Sequence, residues 1–155
     1  MFAGLDEIDW HQLEHAYGAG DAVPEWLRSL AFQEDESDAL THLWLSLCHQ
    51  GTIYSASAFA APFLIELLTD TSMQGKEGVL RLLAGMARGD AYHRQHLSLY
   101  SEARKQDLAF QRELAEQVEW AERTHEAVRQ GLSVYLDLLV DADPHIRMEA
   151  AYLLA

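Results

Sequence analysis

The sequence predicts an all-α protein of stacked antiparallel helical hairpins, and three observations carry that expectation. Apolar residues recur at three- and four-residue steps along most of the chain, alternating runs of β-branched residues are missing, and Gly, Pro and Asp punctuate the periodic segments. At 155 residues the chain is a single domain's worth, 1–155, enough to bury a continuous core. A hydrophobic fraction of 49%, with four Trp, six Tyr and five Phe, excludes a disordered chain even at a net charge of −14.

Taken in order, a first helix is expected over about Asp6 to Tyr17, with Ile8, Leu13 and Ala16 on one side, ended by Gly18 and Gly20. A short second helix follows, with Pro24 in its first turn, Asp21 as a cap, and Trp26, Leu27 and Leu30 as its apolar side. Residues Gln33 to Asp38 form an acidic connector. Ser37 or Asp38 caps a third helix carrying Leu40, Leu43, Trp44, Leu47 and Cys48. His49 to Tyr54 is a turn, since Gly51 tolerates the left-handed backbone that ends helices. The fourth helix runs through Phe59, Phe63, Leu64, Leu67 and Leu68 and is kinked or begun near Pro62. A fifth spans about Lys76 to Arg88, stopped by Gly89. Residues 90–107 read as a short helix or ordered insert. A long helix then keeps one stripe from Leu108 to about Gln130 through Phe110, Leu114, Val118, Ala121, His125 and Val128. After Gly131, Leu132, Tyr135, Leu136, Leu139 and Val140 form the next helix. Asp141-Ala142-Asp143-Pro144 turns into a last one holding Ile146, Ala150, Leu153 and Leu154.

Asp141, Asp143, Pro144, Ile146, Arg147, Ala150, Ala151 and Leu154 resemble the start of a HEAT repeat, where an Asp-Pro turn opens a helix bearing a hydrophobic-Arg pair. His49-Gln50-Gly51-Thr52-Ile53-Tyr54 followed by Ala60-Ala61-Pro62-Phe63-Leu64 resembles a turn and second helix of bacterial HEAT-repeat proteins. Residues 89–120 depart from any regular repeat. The resemblance implies an armadillo-like α-solenoid that binds a protein or peptide, with no catalytic residues to carry over. Stacking also follows from the apolar face that each helical pair cannot bury alone. The last helix ends at Ala155 with its apolar side still running, so a longer array, the chain's own insert or a homodimer through the C-terminal helix is expected to cover it.

Charge narrows the function classes. Residues 1–50 hold ten acids against Arg28 alone, residues 51–100 balance four against four, and residues 101–155 carry eleven acids against six cations. Such a surface repels phosphate backbones and attracts cationic partners over a Debye length of about 8 Å. No nucleic-acid binding is expected, and the plain alternative is that the carboxylates only keep the protein soluble. Asp6, Glu7 and Asp9 stand where a signal peptide needs a basic start. The longest stretch free of polar side chains, Ala58 to Ile65, is far short of the roughly 20 residues of a membrane span. Cys48, the sole cysteine, fits a reducing compartment, so a cytoplasmic protein is expected.

Candidate chemistry is sparse. His11-Gln12-Leu13-Glu14-His15 has the H-x-x-E-H form of inverted zinc peptidases, in which histidines four apart share a helix face and the Glu activates water. Those peptidases are larger and mixed α/β, and a surface pair is the plainer reading. His125-Glu126 resembles the His-Glu pairs of iron-dependent hydroxylases of the HEAT class, but those need several pairs and His125 lies on an apolar stripe. His93 and His96 read as a solvated pair, and Cys48, directly before His49, as core. Gly18-Ala19-Gly20 follows a helix instead of a strand, so no nucleotide site is indicated. Trp10, Trp26, Trp44 and Trp120 read as large side chains between layers. The resulting expectation is a protein-binding scaffold without cofactor, metal or catalytic residues, acting through Glu34, Asp35, Glu36 and Asp38 on a protein with a basic surface. An immunity-type inhibitor of a basic toxin or other cationic protein is its sharpest form. A metal-dependent hydrolase or hydroxylase using helix-borne His and Glu is the alternative.

Overall fold

The computed structural model describes residues 2–32 and 36–155, with the backbone alone for 36 and 37. Helices dominate the described residues: α1 (Val23–Phe32), α2 (Glu36–Leu47), α3 (Ser55–Thr69), α4 (Lys76–Arg88), α5 (Tyr92–Gln95), α6 (Glu102–Lys105), α7 (Leu108–Arg129), α8 (Leu132–Leu138) and α9 (Pro144–Leu154). None is long and apolar enough to cross a membrane. The all-α expectation holds, and it is interrupted by two small antiparallel hairpins, β1 (Glu14–His15) with β2 (Gly18–Ala19), and β3 (Cys48–His49) with β4 (Thr52–Ile53).

The expected first helix does not form. Residues Leu5–Glu7 and Trp10–Gln12 are single 3-10 turns leading into the β1–β2 hairpin. Tertiary hydrogen bonds compete with helix here: the Glu14 amide donates to Ser55 Oγ at 2.7 Å and the Ala16 amide to the Ser46 carbonyl at 3.0 Å. The Trp10 indole donates to the Leu5 carbonyl at 2.9 Å, and Leu5, Trp10 and Leu13 are buried.

Residues 49–54 turn as expected, but as a strand hairpin. Gln50 and Gly51 have φ of 51° and 81°, the pair of positive values that a two-residue turn matched to strand twist requires. This hairpin is tied to the end of α4: the Ile53 amide donates to the Asp90 carbonyl at 3.1 Å and the Asp90 amide to the Gly51 carbonyl at 2.8 Å.

The fourth helix begins at Ser55, seven residues before Pro62, and runs through it. Ser57 starts it by accepting the Tyr54 amide at 3.2 Å, while its hydroxyl donates to the Leu47 carbonyl at 2.6 Å and so joins the end of α2. α3 buries Ala56, Ala60, Leu64, Leu67 and Leu68 and packs against α1, α4, α7 and β1. α4 keeps its expected bounds and buries Val79, Leu82, Leu83 and Met86. Residues 90–107 form α5, a 3-10 turn at Leu97–Leu99, and α6, whose N-cap Ser101 accepts from the Arg104 amide. Asp107 caps α7 and Asp143 caps α9, each with a side-chain oxygen on a first-turn amide.

Gly89 tests the junction between α4 and the second hairpin. A Cβ there would lie 2.6 Å from Ile53 Cγ1 and 3.0 Å from the Gly51 carbonyl. Gly89→Ala is expected to cost about 1–3 kcal/mol through overpacking. Urea unfolding reads this as a lower midpoint, and an unchanged midpoint would mean that the hairpin is not held against α4.

Candidate functional site

The four acids expected to meet a partner are only partly placed. Glu34 and Asp35 lie outside the described residues, and Glu36 opens α2 with its side chain undescribed. Asp38 falls inside α2, beyond the capping position expected for it, exposed and 3.4 Å from His42 Nε2. The His42 ring stacks on Trp26 at 5.1 Å and 7°, and His15 approaches the same indole at 5.7 Å. Arg28, the one cation among the first fifty residues, is engaged by Asp6.

The H-x-x-E-H spacing does not become a helix face. His11 sits in a 3-10 turn with Nδ1 3.2 Å from both carboxylate oxygens of Asp21. His15 lies in β1, where Nδ1 accepts the Tyr17 amide at 3.1 Å, and burial lowers its pKa against the opposing pull of Asp21. His125 Nε2 donates to the Gly89 carbonyl at 2.8 Å, a fastening of α7 to the end of α4. His93 is not solvated: its side chain is 15% exposed, with Nδ1 2.8 Å from the Tyr100 hydroxyl and Nε2 3.3 Å from Glu113. Cys48 is buried, and burial pushes its thiol pKa up, away from nucleophilic use. Among the described residues, no three His, Cys, Asp or Glu side chains converge on a point that could hold a metal ion.

Two cavities stand out instead. The larger, about 670 Å³, opens between α2, α4 and α9, with Trp44, Gly85, Met148 and Tyr152 among its walls. A Cβ on Gly85 would touch Cys48 Sγ and the Trp44 ring at 3.3 Å, so the glycine lets α2 close on α4. Its two arginines are already engaged. Arg81 Nε and Nη2 donate to Glu149 Oε1 at 3.1 and 2.6 Å, which raises the Arg81 pKa, and Glu149 is 6% exposed. Arg88 donates to the Tyr152 carbonyl and lies 4.0 Å over that residue's ring.

The second cavity, about 480 Å³, lies where the β1–β2 hairpin, the β3–β4 hairpin, α5 and α7 meet. Tyr54, Tyr92 and Trp120 supply aromatic walls, and Glu14, Glu113 and Glu116 supply carboxylates. Burial raises the Tyr54 pKa, so its hydroxyl stays protonated. Sequence reading missed this site because its walls come from four separate stretches. Trp120 and Glu14 each drew notice for another reason: the tryptophan as interlayer packing, the glutamate as a metal-site base. The chain matches no family model, no curated protein and no solved structure.

Arg81 makes the buried carboxylate of Glu149 tolerable, so Arg81→Met is expected to lose about 1–3 kcal/mol of stability. Adding Glu149→Gln should restore part of it. Equal unfolding midpoints for the wild type and Arg81→Met would show that Glu149 does not depend on this pair.

Proposed function

We propose that this chain is a protein-binding scaffold of HEAT-repeat type, its helical hairpins stacked as a short solenoid, and that its partner is a protein with a basic surface. The observation that carries the reading is the charge of the N-terminal end: ten acids against one arginine, which is itself engaged by Asp6. That leaves an unneutralised field to speed encounter with a cationic protein. Inhibition of a basic toxin or other cationic protein by masking is the sharper form of the reading. Self-association through the C-terminal end is supported by the exposed apolar side chains of α8 and α9, Leu136, Met148 and Tyr152, with Val140 beside them 85% exposed.

Affinity capture from the native lysate at low and moderate salt tests the reading, using wild type beside a variant carrying Glu34→Lys, Asp35→Lys, Glu36→Lys and Asp38→Lys. The expected outcome is one basic protein held near stoichiometry by wild type, released as salt rises, and associating at least tenfold more slowly with the variant. Equal capture by both proteins would remove the acidic-face mechanism. Light scattering on the purified chain should show a dimer that Met148→Glu/Tyr152→Glu splits, and a strict monomer at high concentration would end the self-association reading.

A further inference from the structure

The second cavity has a composition that selects its ligand. Three aromatic side chains, Tyr54, Tyr92 and Trp120, share its walls with three carboxylates, and no Lys or Arg lines it. Of the carboxylates, Glu113 is answered by His93 at 3.3 Å and by Arg104 at 3.8 Å. Glu14 and Glu116 have no cationic partner among the described residues. Arg123 lies 4.7 Å from the centre of the Trp120 ring, but its charge is met by Glu119 at 2.6 Å and it does not line the space.

A buried polar group points the same way. Thr52 lines the cavity and is 4% exposed, and its hydroxyl makes no hydrogen bond to any described residue. Every fully buried side-chain nitrogen or oxygen among the described residues has a partner, so the unpartnered Thr52 oxygen keeps some accessible surface, in a residue that lines the cavity. It offers an acceptor in a wall where the adjacent Ser55 hydroxyl is already used by the Glu14 backbone.

We propose that this cavity is a binding site for an organic cation, an ammonium or guanidinium group on a flexible stem. The aromatic rings attract the cation through their faces and cover its stem. The free carboxylates of Glu14 and Glu116 set its charge, and the Thr52 hydroxyl accepts an N–H. A guanidinium, weakly hydrated and planar, gives up its water to such a site more readily than a compact metal ion. About 480 Å³ is within the range of sites that enclose small ligands and holds more than a lone ammonium group. The same chemistry comes from two sources: an Arg or Lys side chain presented by a protein, or a small free amine. The inference rests on the cavity alone and stands apart from the acidic connector.

Titration of isotope-labelled protein, followed by nuclear magnetic resonance, tests it with four probes: N-acetyl-arginine methylamide, N-acetyl-lysine methylamide, a linear diamine, and N-acetyl-norleucine methylamide as the uncharged control. Saturable shifts are expected at the Trp120 indole and at the Thr52 and Tyr54 amides with the cationic probes only. Tighter binding of the capped residues assigns the site to a protein side chain, and tighter binding of the diamine assigns it to a free amine. Glu14→Gln/Glu116→Gln, changed at exposed positions where folding is not at stake, should weaken binding about tenfold, and Trp120→Leu by a similar factor. No shifts at these residues with millimolar cations would overturn the proposal. So would equal shifts with the norleucine control, or unaltered affinity in the double variant.

Discussion

The fold depends on α3. Its sequence, Ser55–Thr69, carries apolar side chains on nearly every side, so the helix has to be surrounded. α1, α4, α7 and the first hairpin do so. Leu64, Leu67 and Leu68 are each at most 2% exposed, and burial of each contributes about 1.5–3 kcal/mol. Ala56, Ala60 and Ala61, fully buried, let neighbouring backbones come close at little entropic cost.

The first turn of α3 turns this packing into architecture. Ser55 takes the Glu14 amide, Ser57 takes the Tyr54 amide and reaches the Leu47 carbonyl, and the second hairpin runs on into Asp90 beyond α4. Both hairpins are thereby anchored at one end of one helix. α7 passes the same end, with Trp120 in contact with Phe59 at 6.0 Å. The aromatic and acidic cavity is the space left where these pieces meet, so its shape is set by backbone hydrogen bonds and core packing instead of by loops. The acidic N-terminal end and this cavity then share one electrostatic character, and Glu14 belongs to both.

Where helices carry local stop signals and a strong stripe, the sequence was readable. α4 ends at Gly89 and α9 starts behind Asp143 and Pro144 as their residue types dictate. The largest failures involve long-range partners. Residues 6–17 have helical spacing, but the amides of Glu14 and Ala16 are taken by Ser55 and Ser46, and no local pattern announces a serine 41 positions away. His93 has no acid nearby in sequence, and folding supplies Glu113 from α7. The cavity was illegible for the same reason: Glu14, Thr52, Tyr92 and Trp120 are neighbours only in three dimensions.

The centrality of α3 is tested most directly by native-state hydrogen exchange resolved by residue. The account predicts that amides of Ala60, Ala61, Leu64 and Leu67 exchange only with global unfolding, whereas those of α5 and α6, short helices with no buried side chains, exchange through local opening. Amides of α3 exchanging as fast as those of residues 92–105 would contradict it, because a helix that opens locally cannot be the element around which the others are placed.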